Sequence, residues 1–457
     1  LKKTFLVLVL AISFLSHLSA QTNFTVLARL SVTTGAVPFG SLGVGPGGVL
    51  YAANAGGGVS NAGAVVRVNP DGSGFSTLVS FFATNGASPA AGLALASDGT
   101  LFGTTYSGGI SNFGTIFKLN TNGSGFQVLH YFTGGSDGQN PSGDPIIASN
   151  GCVYGVTYYA NGTTRGTVYR IDQNGSNYSI IHTFLGTPDG QQPSGRLCQA
   201  ADGMLYGTTV FGGISAQLGA IYKVSLDGTV YSMIHALQSS SGEGRNIQAG
   251  LCQSTNGFLY GTAYSGGTSN AGVIFKLDTD GNNFNIVRNF QPTGGDGQHP
   301  NSELVETSDG FLYGGTYGGG SGGGGSFFKI KNDATGYAIL QNFSTTGSEL
   351  NTPNALAIGA NGALYGSVRY GGGAGAGCIF ALTTLPLPPR ILSITGGASS
   401  NLIKFAGTYG IHYDVLRSSN LSSWSSVTNL TAPQNGSFSY SDLSPIKPAS
   451  FYRLHQN

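Results

Sequence analysis

A three-residue phrase of apolar residue, aromatic ring and small residue, [LV]-[YF]-[GA], returns along most of the chain. It starts at Leu50, Leu101, Val153, Leu205, Leu259, Leu312 and Leu364, at intervals of 51, 52, 52, 54, 53 and 52 residues. In six of the seven copies Asp-Gly or Asn-Gly stands just before the phrase, one residue away (Asp98-Gly99, Asn150-Gly151, Asp202-Gly203, Asn256-Gly257, Asp309-Gly310, Asn361-Gly362), and in the first Gly47-Gly48 does. Such dipeptides supply the positive φ angles of a tight hairpin turn. Each period holds four short strand-like runs. In the copy around Val153 they are residues 144–148, a run starting at Val153, residues 166–171 and residues 178–184. Four short antiparallel strands in a unit of this length, many times over, predict a β-propeller.

The same pattern predicts how the blades pack and close. Successive strand residues face opposite ways, so Tyr154 and Gly155, or Tyr206 and Gly207, offer a ring on one side and bare backbone on the other. Ring-on-glycine stacking between neighbouring blades is expected, with these aromatics in the core. The first strand of the unit occurs seven times, and the repeat then stops after residues 378–382 without a fourth strand. Residues 23–30 have the composition of that missing strand. The expected fold is all-β: a seven-bladed β-propeller over residues 21–383 closed by its N-terminal strand. A Pro-rich linker at 384–389 and a small β-sandwich of the fibronectin type III sort at 390–457 follow, the latter holding the only tryptophan, Trp424.

Composition narrows the class. The 76 glycines have no three-residue period, which excludes collagen, while 40% hydrophobic content with 22 Tyr and 26 Phe can bury a core. Charged residues make up only 9%, with a net charge of +1. That leaves no basic footprint for nucleic acid or a membrane surface. Residues 1–20 read as a targeting segment: Lys2 and Lys3, an apolar run over 4–15, and Leu18-Ser19-Ala20 before a cut at Gln21. Leu1 is read as a non-standard start. A secreted or cell-surface protein, monomeric and without a membrane span once cleaved, is expected. Cys152, Cys198, Cys252 and Cys378 match neither a zinc nor a redox spacing and are read as buried free thiols.

Three phrases recur in fixed order: Leu205-Tyr206-Gly207-Thr208-Thr209, Gly108-Gly109-Ile110-Ser111-Asn112 running on to Leu119, and Asp189-Gly190-Gln191-Gln192-Pro193. Over roughly residues 23–383 they resemble the GloVer tandem-repeat family of exported bacterial proteins. In one copy Gly242-Glu243-Gly244-Arg245-Asn246 replaces the D-G-x-x-P phrase, and the Gly-rich sixth unit, near Gly319, also departs from the family pattern. The resemblance implies export, a repeat fold and a C-terminal β-module. It implies no activity.

No catalytic, metal or cofactor signature emerges. His130, His182 and His235 share one repeat position, which places them on separate blades, too far apart for one ion. Gly319-Gly320-Ser321-Gly322-Gly323 fits G-x-S-x-G without the strand-to-helix context a nucleophile needs. Asp278-Thr279-Asp280-Gly281 is read as a turn rather than a calcium loop. Ligand candidates come from topology, because two sets of loops share one propeller face. One set carries Asp137, Asp189 and Asp296; the other begins at Tyr106, Tyr158, Tyr264 and Tyr317. Tyr, Ser, Asn and Gly with few charges suit a glycan or a protein surface. Gln199, Gln253 and Glu306, polar where four repeats carry Val44, Leu95, Ile147 and Ile358, add a candidate polar arc in the channel. Two function classes follow. One is a non-enzymatic binding or adhesion scaffold for an extracellular glycan or surface protein. The other is a polysaccharide hydrolase or lyase using carboxylates such as Asp189, Glu243, Asp296 or Glu306.

Overall fold

The computed structural model describes residues 22–456 apart from 164, 215–217, 239–241, 346–350, 360–361, 372–374, 385–389, 397–399, 407–411, 421, 432–436 and 446–449. The expected targeting segment, and residues 385–389 of the expected linker, lie outside the described residues. The chain divides into two compact units, one of Phe24–Thr383 and one taking in Thr384–Asn457.

Among the described residues, the strands of the larger unit form seven small antiparallel sheets, and the one helical element is a 3-10 turn at Pro46–Gly48. Every repeat but the last contributes strands a, b, c and d in chain order. One sheet runs Gln139–Ile147, Val153–Tyr159, Thr167–Ile171, Ser179–Thr183; the next runs Gln191–Gln199, Leu205–Phe211, Ala220–Val224, Tyr231–Ala236. The Asn-Gly and Asp-Gly dipeptides make the a–b turns, where Gly151 and Gly203 take φ of 79° and 82°. The result is an all-β propeller scaffold.

The sheet built from Asn351–Ile358, Leu364–Tyr370 and Cys378–Thr384 takes its fourth strand from the other end of the chain, Thr22–Arg29. Leu30 N–H donates to Gly377 O at 3.0 Å, and the Phe24 ring stacks on Phe380 at 4.7 Å. Ala28 and Leu30 enter one core cluster with Leu50 and Val66 of the first repeat and Tyr365 and Ile379 of the last. This strand thus pairs an edge that would otherwise stay open.

Between the sheets the packing differs from the expected ring on a neighbour's glycine. Gly155 is covered by Tyr169, its direct cross-strand partner in the same sheet: a Cβ on Gly155 would lie 2.3 Å from Tyr169 Oη. Phe117 over Gly103 and Phe275 over Gly261 repeat this. The strand-b tyrosine is the one that crosses between blades. Tyr154 Oη donates to Leu226 O at 2.9 Å, and Tyr260 Oη donates to Asn332 O at 2.7 Å. The alternation thus sends each strand-b tyrosine to its neighbour, while the bare glycine is capped from within its own sheet.

Among the described residues, the second unit holds two three-stranded antiparallel sheets. One is Arg390–Gly396, Asn401–Ala406 and Ser437–Asp442; the other is Ser425–Thr431, His412–Ser418 and Phe451–Gln456. Ile403, Phe405, Val415 and Tyr452 form its small core, and Arg417 Nη1 pairs with Asp442 at 2.9 Å. All four cysteines are free thiols, and burial pushes Cys198 up to about 11 and Cys252 up to about 12. No helix among the described residues is long and apolar enough to cross a membrane.

A chain starting at Ser31 is expected to lose more than about 5 kcal/mol of stability, because several buried side chains and a strand ladder go together. Size-exclusion chromatography and thermal melting check this; a monomer with unchanged melting would contradict the pairing role of the N-terminal strand.

Candidate functional site

Strand a departs from regular pairing at one place in the repeat. Ser142 pairs with Val156 and Ile146 with Tyr154, so Gly143, Asp144 and Pro145 face a single residue of strand b. Ser194 and Cys198 bracket the same irregularity around Gly195, Arg196 and Leu197. Elsewhere strand a is cut in two there, as between Gly297–Pro300 and Val305–Glu306. A bulge of this kind frees residues from the ladder and re-aims their side chains. One slot in it, two residues before the partner of the strand-b aromatic, reads Ser41, Gly92, Asp144, Arg196, Gly250 and Glu303 in six consecutive repeats. In a chain with 9% charged residues, three charges occupy this slot.

Ser41, Asp144, Arg196, Gly250 and Glu303 of this slot line one cavity of about 690 Å³. Arg196 Nη1 lies 3.9 Å from Glu303 Oε1, with side chains 46% and 15% exposed. Burial pushes the Glu303 carboxyl up to about 7, with Arg196 opposing the rise and Asp144 adding to it. Arg196 itself is raised, chiefly by Glu303. Asp144 is held differently: Ser41 donates to it from both N–H and Oγ, and Gly92 donates from N–H. Ser41, Asp144 and Arg196 also line a second cavity of about 240 Å³, walled by Val44, Leu95 and Ile147. The charged group therefore stands where one space gives way to the other along strand a.

The mouth of the larger cavity is set by the last positions of strand b. The fourth residue after the strand-b aromatic is Tyr106, Tyr158, Val210, Tyr264, Tyr317 and Arg369 in successive repeats, and all six line the cavity. The four candidate tyrosines are thus brought together at one opening. The Tyr264 and Tyr317 rings lie 6.2 Å apart, and Tyr264 stacks on His299 at 4.7 Å. Asn301, whose Oδ1 has no protein partner, adds a polar wall.

The other sequence candidates lie elsewhere. Asp137 accepts from Thr133 N–H at 2.9 Å and meets His130 Nε2 at 3.2 Å; Asp189 meets His182 at 3.2 Å and accepts from Leu185 N–H. Glu243 pairs with His235 at 3.0 Å, and Asp296 with Arg288 at 2.7 Å. Each basic group is also covered by a ring from the next blade: Tyr178 on His130 at 3.8 Å, Tyr231 on His182 at 3.5 Å, Phe284 on His235 at 4.2 Å and Tyr337 on Arg288 at 3.2 Å. The histidines with Asp137, Asp189 and Glu243, and Arg288 with Asp296, are therefore the two halves of one repeated clasp between blades. Gln199, Gln253 and Glu306 serve a second set of blade contacts. They accept from the N–H groups of Ser149, Ala201 and Thr255, each on the a–b turn of the preceding repeat. None of these seven candidates lines the cavity.

Sequence reasoning missed Asp144, Arg196, Glu303 and Arg369. The signal was available: written in register with the repeat, each is a charge in a slot that other copies fill with Ser, Gly, Tyr or Val.

The Glu303 carboxyl binds its proton more tightly in the folded chain than at the ordinary value of 4.5. Its ionisation therefore withdraws stability as pH rises from about 4.5 to about 7, by at most about 3 kcal/mol. Glu303→Gln is expected to be more stable relative to the parent at pH 8 than at pH 4.5. Denaturant unfolding of both proteins across that range checks it; a difference independent of pH would refute the assignment.

Comparison with known proteins agrees with the fold. Among solved structures, PorZ, a bacterial surface component of the type-IX secretion system of Porphyromonas gingivalis, is 12% identical, covering 94% of this chain and 61% of that one with a TM-score of 0.52. An oligogalacturonate lyase in complex with manganese is 10% identical, covering 80% and 97% with a TM-score of 0.51. A gluconolactonase from Xanthomonas campestris, 14% identical over 64% and 85%, has a TM-score of 0.40. At these identities the likeness concerns the fold alone. No curated protein matches the chain. The Gloeobacter/Verrucomicrobia repeat matches residues 14–164 and 142–380, and the chain belongs to that family.

Proposed function

We propose that this is an exported, non-enzymatic binding scaffold that recognises a glycan at the tyrosine-lined mouth. In this reading residues 21–383 are a seven-bladed β-propeller locked by the N-terminal strand, and residues 390–457 are a small sandwich of the fibronectin type III sort that serves attachment. A cleaved targeting segment at 1–20 would deliver the protein to the outside or to the cell surface. The convergence of Tyr106, Tyr158, Tyr264 and Tyr317 on one cavity carries the proposal. Tyrosine offers a flat apolar face and a hydroxyl at low entropic cost, which suits stacking on a sugar ring. The Ser142, Ser194 and Asn301 side chains beside them supply neutral donors and acceptors.

The carboxylates Asp189, Glu243, Asp296 and Glu306 weigh against an enzyme acting through them. Each sits on a separate repeat and is tied to its own blade contacts. One observation favours a second reading: Glu303, raised to about 7, shares its cavity with Asp144. A carboxyl so poised suits a general acid. Incubation with neutral and acidic polysaccharides, assayed for new reducing ends and for unsaturated products, separates the two. Product formation that Glu303→Gln abolishes would replace the binding reading by a hydrolase or lyase.

For the binding reading, a glycan array with the secreted protein identifies ligands. Tyr158→Ala is expected to weaken the best of them about tenfold, the loss of one stacking contact, with unchanged melting. Array signals that survive both Tyr158→Ala and Tyr264→Ala would refute recognition at this mouth.

A further inference from the structure

Arg369 occupies the strand-b slot that holds tyrosine in four other repeats, so one repeat presents a cation where its neighbours present a ring. The guanidinium is fixed on two sides. Its Nε donates to Asn354 Oδ1 at 2.8 Å, and its plane lies over the Phe39 ring at 3.9 Å. Asn354 is itself anchored, its Nδ2 donating to Pro38 O at 2.7 Å and to Ser367 Oγ at 3.0 Å. The amide oxygen that holds Arg369 is therefore oriented by the protein.

The terminal nitrogens are left over. Among the described residues, no ion pair and no further hydrogen bond involves them. Burial holds this guanidinium below its ordinary value, as expected for a cation withdrawn from water with no carboxylate beside it. Arg196, by contrast, has both Glu303 and Asp144 near it. The cavity thus carries one cation that the protein neutralises and one that it does not. A locked guanidinium with its outer edge free has the geometry for bidentate contact with a planar carboxylate.

We propose that the ligand is an acidic saccharide, whose uronate carboxylate pairs with the outer edge of Arg369 while its ring stacks on the neighbouring tyrosines. This rests on the glycan-binding reading of the same mouth and adds the charge of the ligand. At Arg369 a singly charged group such as a carboxylate fits better than a doubly charged one, because a single positive charge is uncompensated and Asp144 and Glu303 line the same cavity.

The test uses the full chain and isothermal titration with two probes: a uronic-acid hexamer and the same hexamer with its carboxylates reduced to primary alcohols. The uronate should bind at least about tenfold more tightly than the reduced hexamer, the scale of one charge-assisted contact. Arg369→Gln should bring that ratio close to one, and Arg369→Lys should restore part of it. The comparison on the unsubstituted protein stands even if Arg369→Gln folds poorly. Equal binding of both hexamers, weakened in both by Tyr158→Ala, would overturn the acidic preference and leave the glycan reading intact. Selectivity for the uronate that persists in a folded Arg369→Gln would overturn the role of Arg369. Binding of neither hexamer, with no other glycan bound on the array, would overturn both.

Discussion

Where neighbouring sheets converge, a Cβ on Gly143 would lie 2.1 Å from Gly195 O, and one on Gly195 would lie 2.3 Å from Gly250 N. Strand a of one repeat therefore runs backbone against backbone beside strand a of the next, and both glycines take positive φ, of 71° and 75°. No side chain fits between them. A residue beside these glycines can only point into the sheet-to-sheet core or into the central space. The bulge at Gly143–Pro145 follows from this crowding, and it turns Asp144 inward. Close approach of the first strands thus sets the blade interface, the shape of the cavity and the direction of the side chains that define its chemistry.

Charge is scarce in this chain and is spent in two distinct ways. Toward the outside, His182 with Asp189 and Arg288 with Asp296 bridge strand d to the loop that leads into the next repeat. A ring from that next repeat closes each pair, so the acid, the base and the aromatic belong to successive blades. Such half-buried pairs hold register as much as they add stability. Toward the inside, Asp144, Arg196 and Glu303 face shared space, and burial leaves the Glu303 carboxylate only partly offset by Arg196. The first group is periodic because every blade interface needs it. The second is aperiodic, since nothing in the packing of the blades requires it.

That distinction explains what the sequence made legible. The phrase around Leu205-Tyr206-Gly207, with its Asp-Gly turn, read correctly as a strand after a hairpin because turn chemistry and alternation are local. The partnership of Thr22–Arg29 with Cys378–Thr384 was legible from two orphan pieces at opposite ends. The tyrosine mouth was legible because Tyr106, Tyr158, Tyr264 and Tyr317 keep one offset from the strand-b ring. What failed was reading direction in irregular strands. Gln199 and Glu306 were expected in the channel, but beyond the bulge their side chains reach sideways to the preceding repeat's turn. In the sequence Asp189 reads as a ligand candidate on the shared loop face. Its partner His182 is seven positions earlier, a separation that no strand periodicity marks.

A repeat fold gives equivalent positions the same backbone environment, so differences among them are not demanded by folding. In the strand-b slot, Ala55, Tyr106, Tyr158, Val210, Tyr264, Tyr317 and Arg369 all end the same kind of strand. In the strand-a slot, Gly92 and Gly250 show that no side chain is needed there for the sheets to meet. Glu303 then carries an electrostatic cost that the fold does not require, since burial pushes its carboxyl up to about 7. Residues that strain a scaffold indifferent to them are best explained by something outside the scaffold. The sharpest asymmetry is Arg369, a locked cation in a ring of tyrosines, and it sits on the wall that a bound molecule would meet on entering.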